Sequence, residues 1–230
     1  MKRSLPAARF YKMNKIKNPH KKILIDIYDA LYKSFGPQHW WPGETPFEVA
    51  VGAILTQNTN WGNVEKAITN LKDSKSLEAY ILHKMPHRKL ASLIKSAGYF
   101  NVKAKRLKHF LTFLIDHYNG RIENMRDRDS QALRHQLLDI NGIGPETADS
   151  ILLYALEKPF FVIDAYTKRV LARHHIVSEE ATYHELQELF HRNLITDVSL
   201  FNEYHALFVM VGKHYCKPRP RCNECPLEGI

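Results

Sequence analysis

Asp164 stands between an apolar run, Phe160-Phe161-Val162-Ile163, and a helix-forming stretch that begins at Ala165. A carboxylate at a helix start accepts the unpaired N–H groups of the first turn. The helix N-terminus favours its ionised form. The apolar approach lowers the local dielectric, so a fixed anion there would act strongly on a cation developing beside it. Upstream, Asn141-Gly142-Ile143-Gly144-Pro145 alternates glycine through a tight turn between two predicted helices. Glycine permits unusual φ and a close backbone approach, and the N–H groups of the following helix start suit a phosphate. Contacts of that kind position DNA without reading its sequence. A bare Gly-x-Gly turn is no more than a joint between helices. Leu138 before it and Thr147-Ala148 after it extend the pattern toward a nucleic-acid grip.

Trp40, Trp41 and Trp61 are all the tryptophans of the chain. Two adjacent indoles before Pro42 are hard to bury together. Near a cleft, a flat aromatic face suits stacking on a base; a cationic base would add about 0.5–2 kcal/mol of cation–π attraction. The other reading is a hydrophobic plug where two domains join. Near the C-terminus stands Cys216-x5-Cys222-x2-Cys225. Three thiols with His214 would suit zinc, and a loop without metal is the alternative. The thirteen histidines show no ligand spacing of their own.

The elements that must carry these residues are helical. Ile23, Ile27 and Leu31 mark a helix over 20–35, closed by Gly36-Pro37. Thr45-Pro46-Phe47-Glu48 is a capping-box start before the apolar run Val49 to Leu55. Further helices are expected over 64–71, 76–84 and 86–97, over a long basic stretch capped by Asn101 and running to Tyr118, over 131–139, and from Pro145 to about Leu156. Others follow Asp164, Thr182 and Leu200, and the tail from Cys216 reads as irregular. The expectation is an all-α protein of about ten helices with short links. A net charge of +9 favours a polyanionic partner. Met1 to Lys22 holds eight Lys or Arg and no acid, which reads as a DNA-contacting arm or as a solvated terminus. No stretch is apolar for the ~18 residues of a membrane span. No apolar segment of a secretory signal follows the basic start. The chain therefore reads as cytoplasmic and nucleoid-associated, with its three cysteines reduced rather than bridged.

With these motifs in hand, the sequence resembles the helix-hairpin-helix DNA glycosylases of the endonuclease III superfamily, from about Trp40 to the cysteine tail. Trp40-Trp41-Pro42, Leu55-Thr56-Gln57-Asn58-Thr59 and Gly98-Tyr99-Phe100-Asn101-Val102-Lys103-Ala104-Lys105-Arg106-Leu107 look like its 3-methyladenine DNA glycosylase III branch. The resemblance implies two helical domains with an active-site cleft between them. Residues 38–158 would form a six-helix barrel with the hairpin, and residues 1–37 would pack with 159–230. It implies that Asp164 is the catalytic carboxylate, eighteen residues after Glu146. Bifunctional members carry a Lys where this chain has Glu146, and a carboxylate cannot form the imine that leads to strand cleavage. Hydrolysis by water, without lyase activity, is the expectation. Gln57 and Asn58 fall in the loop that would enter duplex DNA where a nucleotide is flipped out. Gly142, Ile143, Gly144 and Thr147 would grip the backbone. Trp40, Trp41, Pro42, Trp61 and Lys213 would line the base pocket.

Many members hold a [4Fe–4S] cluster on C-x6-C-x2-C-x5-C. Here Cys216, Cys222 and Cys225 are spaced one residue shorter in the first gap, and the fourth position would follow Ile230. The resemblance favours a [4Fe–4S] cluster on these cysteines, with zinc or no metal as the alternatives. The implied function is release of an alkylated purine such as 3-methyladenine from double-stranded DNA, by a monomer. The rivals are a glycosylase for uracil or mismatched thymine, and a module that binds lesions without catalysis.

Overall fold

The computed structural model describes residues 18–230, so most of the basic arm, Met1–Lys17, lies outside the described residues. Helices and turns alone appear among the described residues, and the protein is all-α. The helices are α1 Pro19–Phe35, α2 Pro46–Leu55, α3 Trp61–Asp73, α4 Ala79–Lys84, α5 His87–Leu93, α6 Phe100–Tyr118, α7 Ser130–Leu138, α8 Pro145–Ser150, α9 Ala165–Arg173, α10 Tyr183–Asn193 and α11 Val198–His214. Two compact units result. One is Trp41–Lys158; the other joins the described residues up to Trp40 with Pro159–Ile230.

In the unit Trp41–Lys158, α2 is the central helix. Every residue from Glu48 to Leu55 is buried, and α3, α6 and α8 pack around it. Its N-terminus is half of a capping box. The Thr45 hydroxyl accepts the Glu48 N–H at 3.1 Å, but the Glu48 carboxylate pairs with Lys72 of α3 at 2.9 Å. The long α6 buries Ala104, Leu107, Phe110, Leu111 and Leu114 at helical spacing and packs on α4 and α5. The helices α7 and α8 are tied by a buried pair: the guanidinium of Arg134 donates to both oxygens of Asp149, at 2.6 and 3.0 Å.

Three local features differ from the sequence expectation. The cap of α6 is Tyr99 rather than Asn101. Its backbone is left-handed at φ 43°, after Gly98 at φ 70°. The stretch 86–97 is a short helix followed by a 3-10 turn over Lys95–Ala97. The helix from Pro145 stays α-helical only to Ser150, and Ile151–Ala155 winds as a π-helix. Its wider winding is visible in the bond from Leu156 N–H to Ile151 O, 3.2 Å. The turn closes through left-handed Glu157 and a bond from Lys158 N–H to Leu152 O at 2.8 Å. One π turn displaces the apolar period too little for a sequence pattern to separate it from α.

In the other unit, α11 is buried along most of its length and packs against α1 and α9. Phe161 stacks on Phe190 at 3.6 Å between ring centres, and Tyr204 meets both rings edge-on. The Tyr204 hydroxyl donates to Leu24 O at 2.6 Å, fixing α1 on α11.

Candidate active site

The segment leading to Asp164 is extended and apolar. Phe160, Phe161, Val162 and Ile163 are all buried. Its backbone polar groups are taken by α10: Phe161 N–H donates to His191 Nε2 at 3.1 Å, and Gln187 Nε2 donates to Phe161 O at 2.8 Å. The Ile163 N–H faces the Tyr183 hydroxyl at 3.5 Å. This lateral grip carries the chain to Asp164 without a strand partner. Asp164 then caps α9, its Oδ1 accepting Thr167 N–H at 2.7 Å. Its Oδ2 lies 3.6 Å from Nε2 of His205 on α11, and the two side chains are 12% and 5% exposed. Burial by itself pushes this carboxyl up. The charge and hydrogen-bonding capacity of His205, with the contacts from Thr167, outweigh burial, and the net result lies below the usual carboxylate range. Asp164 is therefore an anion in a mostly apolar collar.

In the other unit the hairpin is a tight turn. Ile143 N–H bonds Ile140 O at 2.9 Å, and Gly142 stands at φ 94°. A Cβ on Gly142 would meet Cγ of Arg106 at 2.3 Å, so glycine is required there for space as well as for φ. Gly144 caps α8 without a side-chain bond, and nothing lies within 4 Å of where its Cβ would be. The hairpin thus offers exposed backbone. The side chains of Ile143 and Thr147 are instead buried, and Asn58 is exposed at φ 53°.

Gln57 is hydrogen-bonded within its own unit. Its Nε2 donates to Gly142 O at 3.0 Å and to Thr147 Oγ1 at 2.9 Å, and its Oε1 accepts from Arg106 Nη1 at 2.6 Å. The amide is engaged at both ends, by the hairpin region through Nε2 and by α6 through Oε1. His109, one turn along α6, meets Asn141 O at 3.0 Å. At the head of the same helix Tyr99 is 72% exposed, the most exposed large hydrophobic residue among those described.

Two aromatic sets are built from the predicted pocket residues. Trp41 meets Trp61 edge-on at 5.1 Å, and Tyr154, on the π-helical turn, at 4.9 Å. Gly52 in α2 lies beneath them, since a Cβ there would come to 3.5 Å from both indoles. In the unit that contains Asp164, the Lys213 ammonium lies 5.9 Å from the Trp40 ring centre. Pro42 is exposed, and so is Glu146 in the first turn of α8.

The cysteines do not fit a cluster. Among the described residues no three His, Cys, Asp or Glu side chains gather as ligands for a metal ion. Cys216 is buried and its sulfur accepts from Arg173 Nη1 at 3.3 Å, while Cys222 is exposed. Burial, with the neighbouring thiols Cys216 and Cys222, pushes the Cys225 thiol up. The tail is instead held by α9. Arg169 Nε donates to Cys216 O at 2.7 Å, Arg173 Nη1 to Lys217 O at 2.6 Å, and His174 Nδ1 meets Ile230 O at 2.9 Å.

Sequence patterns did not single out His205, Arg106, Tyr99 or Tyr154 for this site. A single imidazole beginning the apolar run Ala206 to Val211 is the one available signal for His205.

A family model for the HhH-GPD superfamily base excision DNA repair proteins matches residues 51–194. A candidate DNA repair glycosylase of Methanocaldococcus jannaschii is 48% identical over 209 residues, 90% of this chain and 94% of that protein. Endonuclease III of Thermotoga maritima is 30% identical over 189 residues, covering 80% of this chain and 81% of that one. The crystal structure of H. pylori 3-methyladenine DNA glycosylase bound to 1,N6-ethenoadenine superposes with a TM-score of 0.72 at 30% identity, over 84% of this chain and 97% of that one. The hairpin and the aspartate-capped helix α9 both lie within the matched span, and the chain is a DNA glycosylase of base excision repair that belongs to the HhH-GPD superfamily.

Proposed function

We propose that this glycosylase is monofunctional and releases an alkylated purine such as 3-methyladenine, with Asp164 as its catalytic carboxylate. The observation that carries the reading is the ionised Asp164 at the head of α9, held from both sides and approached through apolar residues. As the glycosidic bond lengthens, positive charge grows on the sugar. A fixed carboxylate stabilises that charge and orients a water toward C1′. An alkylated purine carries its own positive charge and departs neutral, so no strong general acid is required. Glu146 has no nitrogen with which to attack the sugar, which supports hydrolysis in place of strand cleavage.

The aromatic faces support the substrate class. Trp41, Trp61 and Tyr154 offer ring surface, and Lys213 beside Trp40 adds a polar head. Such surfaces favour electron-poor bases by stacking and charge–quadrupole attraction. The hairpin backbone at Gly142 and Gly144 would hold phosphates. Tyr99, with its ring exposed and its amide in a left-handed turn, is better placed than Gln57 to fill the gap left by a flipped nucleotide. No step is assigned to a metal.

The test is single-turnover release of 3-methyladenine, uracil, mismatched thymine and 8-oxoguanine from duplex DNA. Asp164→Asn should bind the duplex and lose release by about 10³-fold or more. Uracil as the fastest substrate would overturn the base assignment, and near-parental release by Asp164→Asn would overturn the carboxylate assignment.

A further inference from the structure

We infer that His205 is a positioning residue for base release, holding the Asp164 carboxylate ionised and aimed. The inference rests on the assignment of Asp164 as the catalytic carboxylate.

Three observations converge on it. First, the imidazole is buried on α11, with Nε2 3.6 Å from Oδ2, while Thr167 N–H holds Oδ1 at 2.7 Å. One oxygen is thus held by a helix-cap bond on α9, and the other faces the imidazole of α11. Second, the approach to Asp164 is built of Phe160, Phe161, Val162 and Ile163, all buried. A carboxyl in such a place favours its neutral acid unless a charge or donor offsets the lost water. A neutral acid gives no anion for the sugar cation. Third, the other charged or titratable groups on the surrounding helices are engaged elsewhere. On α11, Glu203 accepts Gln38 N–H and Lys213 lies over Trp40. On α9, Lys168 binds Ala181 O, and Arg169 binds Cys216 O and Gly212 O. From α10, His191 takes Phe161 N–H and Tyr183 faces Ile163 N–H. His205 is the ionisable side chain whose charge bears on Asp164, and it offsets the burial.

The role separates from ordinary core packing by its pH signature. In the parent, the carboxylate stays charged to below the usual carboxylate range, so release is not limited by Asp164 protonation in mildly acidic buffer. Without the imidazole, only the Thr167 contacts oppose burial and the carboxyl titrates higher. His205→Phe keeps a ring in the space and removes both imidazole nitrogens. It should slow single-turnover base release about ten- to a hundredfold near pH 7 and bring in an acid limb at higher pH than the parent. Binding to undamaged duplex should stay near parental. His205→Gln restores a donor without the charge. Its rate near pH 7 should recover most of the loss, with the acid limb still above the parental one.

A His205→Phe enzyme with parental rate and parental pH profile overturns the inference. Should the Phe ring prevent folding, as judged by thermal melting and duplex binding, His205→Gln decides alone, and a parental pH profile in it overturns the inference. Asp164→Asn, run beside them, separates the two assignments. If it releases base normally, the carboxylate assignment fails. If it is inactive while the His205 variants match the parent, only the role of His205 fails.

Discussion

Asp164 is held by two polar neighbours against four buried apolar ones, and its charge has consequences for stability as well as for chemistry. A carboxyl whose folded pKa is depressed stabilises the fold at pH above its unfolded value, about 3.9 for aspartate, and that contribution is lost as pH falls through the folded value. Asn is a good N-cap but carries no charge. Asp164→Asn should therefore melt lower than the parent at pH 5–7, with the gap closing as pH drops below about 4. Melts across that range check this, and a constant gap would contradict it. Glu146 supports a second expectation at this scale. Borohydride added during turnover should trap no protein–DNA adduct, because no amine stands at that position. A denaturation-stable adduct on gels would refute it. The residues themselves were partly legible beforehand. Asp164 and the glycines announce themselves by type and spacing, whereas His205 meets Asp164 across 41 positions of sequence that no local period spans.

At the scale of elements, the hairpin depends on its supports. The helices on either side of it are joined through Arg134 and Asp149, both buried. Removing one partner leaves a charge without compensation, so Asp149→Ala should destabilise the fold by roughly 3–5 kcal/mol in urea unfolding. Arg106 supports the turn itself, contacting Gln57 and lying where a side chain on Gly142 would go. Gly142→Ala is expected to weaken duplex binding more than Gly144→Ala, since only the first position combines a positive φ with an occupied space. Titration of both variants with undamaged DNA checks the order. Most helices were readable from apolar spacing and caps. The exceptions have local causes. Tyr99 rather than Asn101 caps α6 because Gly98 lets the chain enter in a left-handed turn. Gln57 was readable as a loop residue, but its bonds to Gly142 and Thr147 lie 85 and 90 positions away.

At the scale of the molecule, 33 basic side chains against 24 acidic ones set the long-range field. Counterions displaced from DNA make such binding fall steeply with salt. Affinity for undamaged duplex should drop by at least tenfold between about 50 and 200 mM salt, and a flat response in anisotropy titrations would contradict a phosphate-based grip. The C-terminal segment, fastened to α9 by Arg169, Arg173 and His174, makes a different expectation. If these contacts alone hold the segment, chelator treatment leaves the melting temperature unchanged. Elemental analysis decides between this and a metal-held tail. Net charge pointed to a polyanionic partner, while the helices were read from apolar spacing and caps. Cysteine spacing could not show that arginines hold the segment, because their contacts come from a helix more than forty positions upstream.

The π-helical turn at Ile151–Ala155 makes the contacts beside it sensitive to a change of one residue in length. A π turn accommodates one residue more than the α-helix it interrupts. Deleting a single residue there would let the helix relax to ordinary winding and swing the flanking side chains by about 100° relative to one another. Tyr154 would then leave the face of Trp41. A one-residue length change at this point would thus rearrange the Trp41–Tyr154 aromatic contact while leaving the hairpin turn before it in place.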